Sequence, residues 1–371
     1  MKRLAIAARR VEGLSGAVRL ILAEAEAAVR DGWEVHVFSE RLDEGVVRAA
    51  GAVPRRVPRW PWGSWLKRRA FAAAAGRMAR GFDLVHGHGD LLDQDLLSLH
   101  NCVHAAREAA TGAPLPASDA VGRLHALQLS GRRFRLLAAN SRLMKDDAAR
   151  RFGVPEELVE VVYPGYDARR FSAADRARLG PGLRAELGLP EDARIFGLVT
   201  SGDFEKRGLP AFLRAFAAVA RAEPRARALV VGKEARPGRY LRLAGELGVS
   251  DRVLFRPPLA AVERFYHALD AYVHAARWEE FGMTVLEALA CGVPAVVSAG
   301  TGAAELLAGP ARELVLPEPS PEALCAAMLR LAREPGLRER LGAAGPGLAA
   351  PHTLEAHGRR VASLYERLRK K

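Results

Sequence analysis

Apolar and polar positions along the chain fall into two alternating registers. Short apolar runs, rich in β-branched residues, are separated by Ala/Leu-rich stretches of helical length. Residues 3–7 (Arg3-Leu4-Ala5-Ile6-Ala7) make the first run, a glycine-containing turn follows at 12–16, and residues 17–30 carry a helical pattern. The strand pattern returns at 34–38, 84–86 and 136–141, and 159–165 ends it with a turn. Such alternation predicts a parallel sheet covered by helices on both faces.

After Pro164-Gly165-Tyr166-Asp167 the chain turns Arg/Ala/Gly/Pro-rich as far as residue 192, and then the alternation restarts. Residues 195–199, 228–232, 252–255, 271–274 and 295–298 read as strands, 209–222 and 281–290 as helices. The tail from 321 to 371 reads as helical in pieces broken at Pro335-Gly336 and Gly345-Pro346. We therefore expect two successive doubly wound α/β domains facing a central cleft, 1–166 and 167–351, with ligands at the carboxyl ends of the strands.

Composition narrows the partners. The 371 residues hold 56 basic and 43 acidic side chains, a net charge of +13, and 49% hydrophobic residues, enough for two cores. A disordered chain and a disulfide-stapled scaffold are excluded. Positive charge favours anions: nucleic acid, anionic lipid or phosphorylated substrates. The wealth of Ala, Arg and Gly fits a high-GC bacterial coding sequence, which discounts part of that charge. Cys102, Cys291 and Cys325 have no metal-like spacing and suit a reducing cytoplasm. The first eleven residues lack the apolar core of a signal peptide, and no run is long enough to span a bilayer. The expectation is a cytoplasmic protein, soluble or peripheral on the inner face of the membrane.

The densest chemistry lies in Trp278-Glu279-Glu280-Phe281-Gly282-Met283-Thr284-Val285-Leu286-Glu287-Ala288-Leu289-Ala290-Cys291-Gly292-Val293-Pro294. Glu279 falls in a loop and Glu287, eight residues on, about two turns into the next helix. Gly282 admits a close backbone approach, and the free N–H groups of the helix's first turn suit a phosphate. The two carboxylates can then accept from separate sets of sugar hydroxyls. Alone, they would equally suit an acidic first turn complementing the helix dipole.

Taken whole, this block resembles the Glu-x7-Glu motif of the retaining GT-B glycosyltransferases of family 4. The order of the other pieces agrees: Gly13-x-x-Gly16 after the first strand, Asn140-Ser141 before a helix, Tyr163-Pro164-Gly165-Tyr166-Asp167 between domains, and Gly302-x-x-Glu305 after the last central strand. The resemblance implies two Rossmann-like domains: an acceptor-binding one at 1–166, completed by a C-terminal helix at 352–371, and a nucleotide-sugar-binding one at 167–351. Glu279 would contact donor-sugar hydroxyls and Glu287 the ribose, with Phe281, Gly282, Met283 and Thr284 against sugar and diphosphate and Gly13 and Gly16 also in the donor site. It further implies a front-face mechanism, no metal and no cofactor beyond the donor.

Thr200-Ser201-Gly202-Asp203-Phe204-Glu205-Lys206-Arg207-Gly208 follows the first strand of the second half. Lys206 and Arg207 could neutralise a departing diphosphate; an alternative is a solvated basic loop. Where the family commonly has Gly-Arg, this chain has Gly202 in place of the arginine. That departure, with Gly202-Asp203-Phe204 and the paired bases, resembles the branch that glucosylates the lipopolysaccharide core, implying UDP-glucose as donor and a lipid-linked glycan as acceptor. In the first half, His100 sits where family members carry a histidine near the donor sugar, with His86, His88 and His104 as competitors. His86-Gly87-His88 with Asp90, Asp93 and Asp95 also admits a metal reading, which we set below the metal-free one.

Between Glu44 and Asp83 there are nine bases and no acid. Arg55, Arg56, Arg59, Trp60, Trp62, Trp65, Lys67, Arg68 and Arg69 suggest a docking surface for an anionic bilayer or a lipid-linked acceptor. The tryptophans would equally serve the domain's own core. Nucleic acid is not expected, because Pro58 and Pro61 interrupt any regular reading element. Two rival readings stay in view: a sugar-nucleotide epimerase of the same architecture, and a non-enzymatic basic protein that binds membrane or nucleic acid.

Overall fold

Leu4, Ala5, Ile6 and Ala7 of the first strand are all fully buried, and they divide between two cores. Leu4 and Ile6 join Val35, Val37, Val361 and Tyr365, whereas Ala5 and Ala7 join Phe38, Phe71 and Ala75. Because successive side chains leave a strand on opposite sides, the two clusters lie on opposite faces of one sheet. Each large aliphatic side chain so buried contributes about 1.5–3 kcal/mol.

The computed structural model describes residues 1–13, 15–61 and 63–370. The chain divides into two units, Met1–Gly165 with His352–Lys371, and Tyr166–Pro351. The main sheet of the first holds seven strands: β1 (Lys2–Ala7), β2 (Trp33–Ser39), β3 (Val53–Arg56), β4 (Leu84–Gly87), β5 (Leu96–Ser98), β6 (Leu136–Ala139) and β7 (Val159–Val161). Their order is β3-β2-β1-β4-β5-β6-β7, and every pairing is parallel. The second unit holds β8 (Arg194–Val199), β9 (Ala226–Val231), β10 (Val253–Arg256), β11 (Ala271–His274), β12 (Ala295–Ser298) and β13 (Val315–Leu316), ordered β10-β9-β8-β11-β12-β13 and again all parallel. In both, the chain starts in mid-sheet, winds one way, then returns to wind the other. This is the doubly wound arrangement, whose crevice opens where the order reverses: beyond β1 and β4 in the first unit, beyond β8 and β11 in the second.

Two local readings are corrected, and one strand is added. The helix Pro335–Ala349 runs through Gly345-Pro346. Pro346 falls in its last turn, where it removes one N–H bond but leaves little helix beyond it to kink, and Gly345 is there because a Cβ would come 2.7 Å from the Leu289 carbonyl. The helix after Gly282 is Met283–Ala290, so Glu287 sits one turn in, not two. The basic run, which shows no strand pattern, contains β3 (Val-Pro-Arg-Arg); as an edge strand paired only to β2 it tolerates proline and leaves both arginines exposed.

The terminal helix Leu354–Arg369 returns to the first unit. It packs on the helix Gly16–Arg30, where Gly358 admits contact so close that a Cβ would fall 2.5 Å from the Ala23 carbonyl. Among the described residues no helix is long and apolar enough to cross a membrane.

Candidate functional site

In the second unit the loops after β8, β9, β11 and β12 meet at the carboxyl end of the sheet. Gly202, at φ +150°, has no room for a Cβ, which would lie 2.5 Å from the Lys233 carbonyl. Asp203 takes the left-handed conformation, and its carboxylate accepts from the Lys206 N–H at 3.1 Å, while Phe204 N–H donates to Glu234 at 3.0 Å. Thr200 Oγ1 donates to the Gly202 carbonyl at 2.9 Å. Gly208, at φ +74°, then starts the helix Leu209–Ala222 against the Ala275 carbonyl. These contacts fix the loop so that Lys206 and Arg207 point across to the β11 loop.

Opposite them stand two consecutive carboxylates. Glu279 is pinned by its backbone, its N–H donating to the Gly300 carbonyl and its own carbonyl accepting from Gly302 N–H. The Arg207 guanidinium is in contact with the Glu279 carboxylate. Lys206 Nζ donates to both oxygens of Glu280, at 2.9 and 3.2 Å, and lies 3.9 Å from Glu279. Glu279, Glu280 and Glu287 are 7%, 3% and 3% exposed, so this is a buried, charge-compensated array. Burial pulls the Arg207 guanidinium below its ordinary range, and the nearby Glu280 opposes that pull.

Gly282, at φ +89°, ends the loop, and the helix Met283–Ala290 begins with no side chain capping it. Glu287 accepts from the Tyr266 hydroxyl at 2.9 Å, and Thr284 accepts from the Tyr272 hydroxyl at 2.7 Å. His274 Nδ1 lies 3.1 Å from Tyr272 Oη, and its Nε2 is buried without a hydrogen-bond partner, 3.5 Å from where a Cβ on Gly282 would sit. Burial, helped by Arg207 and Lys206, lowers the His274 pKa to about 3, so the ring is neutral. Phe281 is only 2% exposed and packs in the core.

The first unit carries a cavity of about 500 Å³. Its lining loops again follow strand ends: Arg9 and Arg10 after β1, Glu40 and Arg41 after β2, Arg59 and Lys67 beyond β3, His88 and Asp90 after β4, His100 after β5. Arg9 pairs with Glu40, and Arg68 lies 3.3 Å from Asp90. Six cationic side chains against two carboxylates leave the lining with a cationic excess. His100 Nε2 lies 2.8 Å from His88 Nδ1.

The structure thus gathers Glu279, Lys206, Arg207, Gly202, Gly282, Thr284 and Glu287 on one unit and places His100, Gly13 and Gly16 on the other. Of the competing histidines, His88 lines the cavity beside His100, His86 is fully buried, and His104 faces the Gly122 carbonyl. The metal reading with Asp90, Asp93 and Asp95 is overturned, because those carboxylates serve Arg9 and Arg68, Arg133, and Val85 with Arg135.

The basic run also divides. Arg59, Lys67 and Arg68 line the cavity, Arg55 donates to His36, Arg56 pairs with Glu44, and Arg69 is exposed. Trp60 and Trp65 are half-buried, Trp65 lying under the Arg123 guanidinium at 4.1 Å; Trp62 lies outside the described residues. Glu280, Tyr266, Tyr272 and His274 escaped the sequence reading. Glu280 alone had a visible signal, standing in the motif beside Glu279.

Residues 14–170 match the family model described as Glycosyltransferase Family 4, and residues 182–347 the one described as Glycosyl transferases group 1. A D-inositol 3-phosphate glycosyltransferase of Frankia alni is 30% identical over 90% of this chain and 90% of its own length. The chain belongs to the family 4, group 1 glycosyltransferases. A D-inositol 3-phosphate glycosyltransferase of Streptomyces bingchenggensis is 31% identical over 77% of this chain and 66% of its own length. The fold is GT-B: WaaG, a glycosyltransferase involved in lipopolysaccharide biosynthesis, superposes with a TM-score of 0.82 at 19% identity, covering 97% of this chain and 99% of WaaG. Anabaena HepE, solved in complex with UDP-glucose, superposes at 0.77 with 18% identity over 99% and 100% of the chains. As a group 1 glycosyltransferase the protein transfers a sugar from a nucleotide sugar.

Proposed function

We propose that the second unit binds UDP-glucose and the first a phosphate-bearing polyhydroxyl acceptor, with glucose passing between them with retention of anomeric configuration. The observation that carries the donor half is the array of Arg207, Lys206, Glu279 and Glu280 at the switch point of the second sheet, beside the uncapped helix Met283–Ala290. Diphosphate entering there meets Lys206, Arg207 and free helix N–H groups, which stabilise the charge that develops as the anomeric C–O bond breaks. Glu279 accepts from sugar hydroxyls and Glu287 from the ribose. The acceptor oxygen bonds to the anomeric carbon, its proton passes to the leaving diphosphate, and glycoside and nucleoside diphosphate result. No metal is required by this reading, since the two bases occupy that role.

The cationic cavity supports the acceptor half. Its volume suits a sugar-sized molecule, and its charge excess favours one bearing phosphate. The inositol phosphate named for the curated relatives has that chemistry, and so does a phosphorylated lipid-linked glycan such as a lipopolysaccharide core. The exposed Arg55, Arg56, Arg69 and Leu66 favour the lipid-linked form, presented at an anionic membrane face. The test is release of nucleoside diphosphate from a panel of sugar nucleotides, with inositol phosphate, unphosphorylated inositol, delipidated core oligosaccharide or no acceptor. Release that needs a phosphorylated acceptor supports the reading; equal release with and without phosphate on the acceptor overturns its acceptor half, and conversion of the donor without any acceptor would point to an epimerase.

A further inference from the structure

Glu24 sits inside the helix Gly16–Arg30 and is 1% exposed, an expensive place for a carboxylate. Three imidazoles close on it. His86 on β4 and His88 just beyond share a strand face, their ring centroids 4.2 Å apart, and His357 comes from the terminal helix. His88 Nε2 lies 3.1 Å and His86 Nδ1 3.6 Å from Glu24 Oε2, and His357 Nε2 lies 2.9 Å from Oε1. The Glu24, His86 and His88 ligand atoms all fall within 4.8 Å of one another. Four atoms around a tetrahedral zinc ion at about 2.0–2.1 Å would be roughly 3.3 Å apart.

The outward-facing nitrogens set the inward ones. His357 Nδ1 faces the Tyr163 carbonyl at 3.0 Å, which only accepts, so that nitrogen carries the hydrogen and Nε2 of the neutral ring turns a lone pair toward Glu24. His86 Nε2 can donate to Ser98 Oγ and His88 Nδ1 to His100 Nε2, each at 2.8 Å, leaving their lone pairs facing the same carboxylate. Glu24 Oε2 and His88 Nε2 are buried and 3.1 Å apart, and neither has a hydrogen-bond partner besides the other. Lone pairs converging on a carboxylate, each imidazole fixed from behind, is how metal ligands are held. Tyr365 Oη, 2.8 Å from His86 Nδ1, would turn away or join the ion.

We propose that Glu24, His86 and His88, with His357 beside them, hold one divalent cation of the zinc class. The mixed carboxylate and imidazole set suits Zn²⁺ or Co²⁺ over Mg²⁺, which prefers oxygen ligands and keeps its waters. The ion would tie the first helix, β4 and the terminal helix together within the first unit, apart from donor chemistry. A proton shared between His357 and Glu24 is the competing occupant.

The test uses the full chain, stripped with a chelator and titrated with Zn²⁺, Co²⁺ or Mg²⁺. Expected are one Zn²⁺ per chain retained through gel filtration, a Co²⁺ form with visible absorption of tetrahedral type, and a rise in melting temperature of about 5–10 °C at a hundredfold excess over Kd, absent with Mg²⁺. Glu24→Gln and His88→Gln should lose all three responses. A wild-type chain that retains no Zn²⁺ and melts unchanged overturns the proposal and leaves the proton as occupant, as does Zn²⁺ binding that both variants keep. Should a variant fail to fold, the wild-type titration decides alone.

Discussion

The two units wind their strands in the same order and set charged loops at the same ends, yet they treat charge differently. In the second unit Lys206 and Arg207 face Glu280 and Glu279 at contact distance, base against acid. In the first, six bases line the cavity with two carboxylates, Glu40 and Asp90, and Arg10 and Arg41 share a third, Glu12, outside the lining. A balanced array can hold hydroxyls and diphosphate together, the acids taking one and the bases the other. An unbalanced one has a standing demand for an anion. The topology therefore supplies only the place, and the loop residues choose the ligand.

The sharpest way to break this contrast is to remove the acids from the balanced side. Glu279→Gln and Glu287→Gln keep size and a hydrogen-bonding amide but lose charge-assisted acceptance, at about 1.5–3 kcal/mol each. Transfer should fall roughly 10–150-fold, expressed in kcat/KM for the donor. Near-normal steady-state turnover in both variants would remove these glutamates from the donor site.

Removing the bases there should act on one part of the donor only. Lys206→Ala and Arg207→Ala are expected to weaken nucleoside diphosphate binding about tenfold or more while leaving the uncharged nucleoside unaffected. Calorimetry with both ligands separates the outcomes, and a matching loss for both would make the pair structural.

On the unbalanced side the effects should be smaller, because the cations are many and partly solvated. Arg59→Ala and Lys67→Ala should raise the acceptor KM about three- to tenfold for a phosphorylated acceptor, with donor KM unchanged and the gap narrowing in salt. A salt-independent change, or one shared by unphosphorylated acceptors, would mean the excess charge is not read by the acceptor.

Much of this was legible in sequence, for identifiable reasons. Central strands such as Ala271–His274 and Ala295–Ser298 are buried on both faces, so they stand out as continuous apolar runs. The Glu279 block is contiguous, so its members are near each other whatever the fold. Pairings that need β8 beside β11 left no local mark: Lys206 with Glu280 joins residues 74 apart. Glu24 and His357 are 333 apart and meet only because the terminal helix returns to the first unit. The basic run misled as a single surface, because charge counted along the chain does not tell which arginines, such as Arg68, turn inward to a carboxylate.

The smallest effect concerns what burial beside the balanced array imposes on His274. His274 is buried beside Tyr272 with Lys206 and Arg207 close by, and its pKa is lowered to about 3 from an ordinary 6.5. Because the folded value is the lower one, the unfolded chain binds the extra proton between those two pH values, and stability must rise with pH across that window. From pH 7.5 down to 5.5 this ring alone should remove about 1.4 kcal/mol of stability, a fall in melting temperature of about 3–6 °C for a unit of this size. His274→Gln, which cannot take up the proton, should flatten that part of the profile without altering the melting temperature's dependence on pH elsewhere. An unchanged slope between pH 5.5 and 7.5 in the variant would show that the acid sensitivity arises from other groups and that burial, with Arg207 and Lys206 beside it, does not hold this ring neutral.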